Sequence, residues 1–182
     1  MNYIVFDLEA TCWEHKRASH IQEIIEIGAC RINQYAEVES TFCEFVKPVH
    51  HPTLSPFCKE LTSIRQEDVE RAGEYPEVIE QFKEWIGLYD EEEYLLCSWG
   101  YFDRKALVHD CDLHGLEFDW TDHHISLKHQ YPEIKGLNKP MGLKRAVLTE
   151  GFEFEGTHHR GIDDALNLAK VFAKYFDEWR HG

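Results

Sequence analysis

Tyr3-Ile4-Val5-Phe6-Asp7-Leu8-Glu9-Ala10-Thr11 opens the chain and reads as a strand, rich in β-branched and aromatic residues and free of turn formers. Side chains alternate along a strand. Ile4, Phe6 and Leu8 therefore point to one face, and Tyr3, Val5, Asp7 and Glu9 to the other. Two carboxylates thus leave an otherwise apolar strand on one side, with Cα atoms roughly 7 Å apart. Like charges this close at the end of a buried strand are costly unless a cation neutralises them. Two divalent ions about 4 Å apart suit such a pair. The same pattern also fits a strand end that simply reaches solvent with two surface acids.

Working outward, residues 12–22 are charged and irregular, either a lid over the carboxylate pair or a solvated loop. Residues 23–32 and 37–46 read as strands joined by a turn at Asn33-Gln34-Tyr35-Ala36. Together with the first strand they suggest an antiparallel meander, with strand one near the middle of the sheet. Residues 47–63 read as a long connection interrupted by Pro48, Pro52 and Pro56. A helix starts at about Pro76, with Val78, Ile79, Phe82, Trp85 and Ile86 at helical spacing. Residues 90–93 read as a solvated acidic turn, and 94–99 as a short buried strand broken by Gly100. A helix follows from about Tyr101, in which Asp103 shares the inward side of Leu107 and Cys111. The pattern over 116–132 mixes loops with a short helix. Residues 142–148 form one or two helical turns that bring Lys144 and Arg145 to a surface, for phosphate contact or for solvent.

The last helix is expected from about Ile162 to Trp179, with the stripe Leu168, Val171, Phe172, Tyr175 and Trp179. This period separates two adjacent aspartates. Asp164 falls one turn before Leu168, on the buried side, whereas Asp163 lies on the wet side. His159 precedes the helix, where a loop can swing it into a site.

The 182 residues suit a single domain spanning 1–182. No apolar run reaches membrane length and no signal peptide is evident, so the expectation is a cytoplasmic protein. The six cysteines lack a CxxC pair and read as reduced thiols, and no histidine pair has the spacing of a structural zinc site. With 34 acidic and 19 basic residues the net charge is −15, which argues against broad, sequence-independent binding to long duplexes. It does not exclude a nuclease, because metal ions invert the field at an acidic site and a single-stranded end needs few contacts.

Asp7, Glu9, Asp103 and Asp164 share one property: each leaves an apolar strand or helix face at its end. Hard oxygen donors without cysteine suit Mg²⁺ or Mn²⁺. Two such ions serve in-line displacement at phosphorus. A histidine titrating near neutrality is suited to take the attacking water's proton, and His159 is the one placed beside an expected ligand.

The order Asp7-x-Glu9, Asp103, His159-x4-Asp164 resembles the DEDD superfamily of 3′→5′ exonucleases in its histidine-bearing branch. Phe6-Asp7-Leu8-Glu9-Ala10-Thr11-Cys12, Ile24-Ile25-Glu26-Ile27-Gly28-Ala29, Leu54-Ser55-Pro56-Phe57-Cys58-Lys59-Glu60-Leu61-Thr62 and His159-Arg160-Gly161-Ile162-Asp163-Asp164 resemble the enhanced-RNA-interference 3′ exoribonuclease family. That family includes histone-mRNA 3′ exonucleases and a bacterial sporulation-inhibitor branch. The resemblance implies an α/β, ribonuclease-H-like fold: a mixed five-stranded sheet with helices on both faces. It further implies two divalent ions held by Asp7, Glu9, Asp103 and Asp164, with His159 as general base. Phe57 and Phe102 would stack on the terminal base, and Leu61, Thr62 and Ile64 would line the nucleoside pocket. The expected partners are single-stranded 3′ ends, RNA before DNA, and the products are nucleoside 5′-monophosphates. The alternatives are a regulatory protein of the same fold and a phosphodiesterase on dinucleotides. Ser63 departs from the family, which usually has glycine there, and so puts close backbone approach in doubt.

Overall fold

The stretch quoted above becomes β1 (Asn2–Ala10), and its alternation sets the layers. Ile4, Phe6 and Leu8 join one buried cluster, while Tyr3 and Val5 join another on the opposite face. This computed structural model describes residues 1–90 and 93–181. β2 (Ile24–Ile32) and β3 (Val38–Phe45) continue the expected antiparallel meander. The turn between them is held by Asn33, whose Oδ1 accepts from the backbone N–H groups of Tyr35 and Glu37. Farther along, β4 (Tyr94–Ser98) and β5 (His124–Ser126) add in parallel, giving the order β3-β2-β1-β4-β5. β1 is therefore central and covered on both faces, which is why its run is almost continuously apolar. The mixed five-stranded sheet is the one the resemblance implied.

Seven α-helices lie among the described residues. In chain order they are α1 (Pro56–Thr62), α2 (Gln66–Glu70), α3 (Tyr75–Trp85), α4 (Phe102–Leu113), α5 (Leu127–Lys135), α6 (Leu143–Thr149) and α7 (Gly161–Lys174). α3 and α4 cover one face of the sheet with Val78, Ile79, Phe82, Leu107 and Cys111. α5, α6 and α7 cover the other with Leu127, Tyr131, Val147, Leu168, Val171 and Phe172. A small third cluster of Ile25, Leu54, Cys58, Ile64 and Val69 seats α1 and α2.

Three readings change. The proline-interrupted connection contains α1. Ser55 Oγ accepts from Cys58 N at 3.0 Å and Pro56 occupies the first turn, so that proline starts a helix instead of breaking a chain. Residues 116–132 include β5, whose three residues are too few to show a period of two. α7 ends at Lys174, and a 3₁₀ turn over Phe176–Glu178 returns Trp179 to Phe172, whose carbonyl accepts the indole N–H at 2.9 Å. Trp179 is buried as expected, but by a turn and not by a continuous helix. Of the acidic turn at 90–93, Glu91 and Glu92 lie outside the described residues. All six cysteines are free thiols, four of them buried.

Candidate active site

β1 outruns its parallel neighbour. Pairing with β4 ends at Val5–Cys97, so the second half of β1 has an open edge on that side. The start of α4 fills the gap: Leu8 N donates to Asp103 Oδ1 at 3.1 Å. Asp7 and Glu9 lie on this same half of β1, at the carboxyl end of the sheet, where open α/β sheets place their ligands.

α7 reaches the same spot because two glycines let it. Gly28 pairs with Asp7 in the sheet register, and a Cβ on Gly28 would lie 2.0 Å from the carbonyl carbon of Gly161. A Cβ on Gly161 would in turn lie 3.0 Å from the Asp7 carbonyl oxygen. Glu26, across from Glu9 on β2, then fixes the first turn of α7. It accepts from Arg160 Nε and Nη2 at 3.2 Å each, and from Gly161 N at 3.0 Å. Asp164, on the first turn of α7, is thereby delivered to β1. Ligand oxygens of Asp7, Glu9 and Asp164 all come within 4.8 Å of one another.

Asp103 belongs to the same electrostatic group although one of its oxygens is turned to Leu8 N. Burial pushes the Asp7 carboxyl well above the usual range, and Asp103, Glu9, Asp164 and Glu26 add to the rise. Burial raises Glu9 to about 9, with Asp164 the strongest charged contributor. Asp103 is raised to about 7 by burial, against the pull of the Leu8 N–H and the Ser98 hydroxyl. No Lys or Arg among the described residues pairs with any of these four acids. Asp164 meets only histidine and backbone: His158 Nδ1 lies 2.7 Å from Oδ1, and His159 N donates to Oδ2 at 2.8 Å.

The structure thus brings three of the predicted acids, Asp7, Glu9 and Asp164, to one centre, and places Asp103 close enough to raise Asp7 and Glu9 electrostatically. Hard oxygen donors, crowded and uncompensated, fit divalent cations of the Mg²⁺ class. His159 sits at the same place, on the residue before the α7 N-cap, with a positive φ of 66°. Its ring stacks on His158 with centroids 4.0 Å apart. Burial, the His158 ring and Lys144 lower its pKa, and Asp164 opposes them.

Phe57 on α1 and Phe102 at the start of α4 are 38% and 50% exposed, so both rings are available to a ligand. Leu61 is exposed beside Phe57, whereas Thr62 and Ile64 are buried beneath that surface. The Thr62 hydroxyl is engaged with Cys58 O. A cleft of about 300 Å³ opens between Ala10 and Phe102, the neighbours of Glu9 and Asp103. Lys144 and Arg145 are exposed on α6, with Lys144 Nζ over the Phe154 ring.

Sequence reasoning missed three contributors. Glu26 was signalled by an acid inside an apolar run, Arg160 by its place before α7, and His158 by standing beside His159.

A ribonuclease-H-like sheet with an acidic centre at its carboxyl end is an arrangement suited to metal-assisted phosphodiester cleavage. Comparison with known proteins agrees. The exonuclease family (RNase_T) matches residues 4–172. ERI1 exoribonuclease 3 of Homo sapiens is 36% identical over 176 residues, covering 93% of this chain and 52% of that protein. ERI1 exoribonuclease 2 of Xenopus laevis is 32% identical over 192 residues, covering 94% and 28%. The solved nuclease domain of 3′hExo, a DEDDh family member bound to rAMP, superposes with a TM-score of 0.90 at 28% identity, covering 97% of this chain and 92% of that one. The chain belongs to the exonuclease family (RNase_T), and it is similar to ERI1 exoribonucleases and to the DEDDh nuclease domain of 3′hExo. It spans about half the length of ERI1 exoribonuclease 3 and under a third of ERI1 exoribonuclease 2.

Proposed function

We propose that this domain removes nucleoside 5′-monophosphates one at a time from the 3′ ends of RNA or short single-stranded nucleic acid. The observation that carries the reading is the meeting of Asp7, Glu9 and Asp164 within 4.8 Å, joined electrostatically by Asp103 and paired with no Lys or Arg among the described residues. In this reading the four acids hold two Mg²⁺ or Mn²⁺ ions. Such ions, when bound, acidify the attacking water and offset the charge that builds on the phosphoryl oxygens.

The chain's own groups do the rest. His159 takes the proton of the attacking water; burial, the His158 ring and Lys144 lower its pKa, which favours the form that can accept. Phe57 and Phe102 stack on the terminal base, and Leu61 packs against the nucleoside. Thr62 and Ile64 support this surface from below. A contact to the 2′-hydroxyl would favour RNA. The names of the solved relatives support the substrate class: one is bound to rAMP and another concerns 3′-end recognition of a histone mRNA stem-loop.

The test is product analysis on 5′-labelled RNA and DNA oligonucleotides of matched sequence and several lengths, with Mg²⁺ or with chelator. The expected result is a ladder shortening from the 3′ end, nucleoside 5′-monophosphate as product, and no reaction with chelator. Internal cleavage, or unchanged activity in Asp7→Ala, would overturn the reading.

A further inference from the structure

His158 stands directly beside His159, and its ring makes the closest side-chain contact to Asp164. His158 Nδ1 and Asp164 Oδ1 lie 2.7 Å apart, a hydrogen bond in which the oxygen accepts when Nδ1 carries the hydrogen. The same ring stacks on His159 at 4.0 Å and 26°, and meets the Phe154 ring nearly edge-on at 5.2 Å. His158 is thus sandwiched between an apolar support and the histidine assigned the proton transfer.

The backbone around it is clamped to α7 at three points. Asn167 accepts from Glu155 N at 3.0 Å and donates to Glu155 O at 2.7 Å. Asp163 accepts from Thr157 N at 2.8 Å, and Asp164 from His159 N at 2.8 Å. His158 therefore stands between two anchored neighbours, and its ring is aimed by the same helix that carries Asp164. The adjacent aspartates divide the work: Asp163 fixes the strap and Asp164 faces the centre.

We infer that His158 is a positioning residue: its Nδ1–H orients the Asp164 carboxylate toward the cation site, and its ring face sets the orientation of His159. Groups that hydrogen-bond a metal ligand in this way fix its direction, and their loss commonly costs about 10- to 100-fold in metal affinity. The inference rests on the exonuclease reading for His159, but its Asp164 half is readable without catalysis.

The experiment separates donor from ring. His158→Phe keeps a ring on His159 and removes the donor. His158→Asn keeps a donor and removes the ring. Mn²⁺ affinity is measured by titration calorimetry, and kcat and KM on an RNA oligonucleotide. His158→Phe is expected to weaken Mn²⁺ binding about tenfold or more and to lower kcat with KM unchanged. His158→Asn is expected to hold Mn²⁺ affinity within about threefold and to lower kcat alone. His158→Ala should show both losses, and it replaces the Phe variant should that one fail to fold. Wild-type Mn²⁺ affinity in both donor-less variants would overturn the inference. So would equal loss of affinity in Asn and Phe variants, the mark of a merely structural role. If wild type binds Mn²⁺ but digests no RNA, the exonuclease reading fails while the calorimetric comparison still decides the contact to Asp164.

Discussion

Glu9 and Glu150 are both buried acids, and the protein treats them in opposite ways. The Glu150 side chain is fully buried at the C-terminus of α6, yet four groups converge on it. Tyr131 OH donates to it, as does Tyr175 OH at 2.7 Å, and Lys174 and Lys135 lie at 2.8 and 3.2 Å. Burial would raise this carboxyl; the lysines and tyrosines overcome it and hold it down to about 2. Glu9 has no such donors, and burial beside three other acids lifts it to about 9. A buried charge that the fold balances is structural, because it ties α5, α6 and α7 together. A buried group of charges that the fold leaves unbalanced is, in the proposed reading, a place for a cation that the chain does not itself supply.

Substitutions at the two sites should therefore have opposite signatures. Asp7→Asn is expected to lower RNA turnover by about a thousandfold or more, since in the proposed reading it removes an oxygen ligand from the reacting centre. It should also raise the melting temperature of the metal-free protein near pH 8, because one repelling charge is gone. Gly28→Ala comes next. Its Cβ has no room against Gly161, so α7 must shift and carry Asp164 away. Turnover should drop by about a hundredfold, as misplacement of about 1 Å does in other sites, with weakened Mn²⁺ binding in calorimetry. Glu150→Gln should leave turnover within about twofold but cost about 2 kcal/mol of stability, a fall of about 4–8 °C in a thermal melt. A Glu150→Gln enzyme that melts normally but is inactive would erase the distinction.

The smallest effect concerns Ser63, which closes α1 in the left-handed region at φ 60°. Glycine takes this conformation without Cβ strain. Ser63→Gly is expected to stabilise the protein by up to about 1 kcal/mol, read as a small rise in denaturation midpoint. A fall would show that the serine side chain is needed there.

How much of this was legible beforehand follows from where the information sits. β1 and its two carboxylates could be read because strand alternation is local. Asp103 and Asp164 could be read because each shares an apolar helical stripe with residues one turn away. The meeting of the four acids was not legible from periodicity, because it depends on Gly28 and Gly161, whose meaning is the approach of two distant backbones. It was instead implied by the resemblance of the motifs. α1 was hidden because Pro56 reads as a breaker unless Ser55 is recognised as its cap. β5 was hidden because three residues carry no period. His158 was overlooked because it is identical in type to its neighbour, and only the hydrogen bond to Asp164 tells the two apart.

The most direct measurement is the melting temperature against pH, with chelator and with saturating Mg²⁺. Asp103 and Glu9 have folded-state values of about 7 and about 9 against ordinary values of 3.8 and 4.5, and Asp7 is raised well above 3.8. A raised carboxyl leaves stability whole below its unfolded value and removes it as pH climbs to the folded value. Glu150 acts in reverse: its contribution is present above 4.5 and is lost as pH falls toward about 2. With chelator, melting temperature should therefore decline steadily from about pH 5 to about pH 9. Mg²⁺ should remove most of that decline, and the Asp7→Asn protein should show a shallower slope without it. Identical curves with Mg²⁺ and with chelator up to about pH 9 would contradict a cation-binding centre at Asp7, Glu9, Asp103 and Asp164.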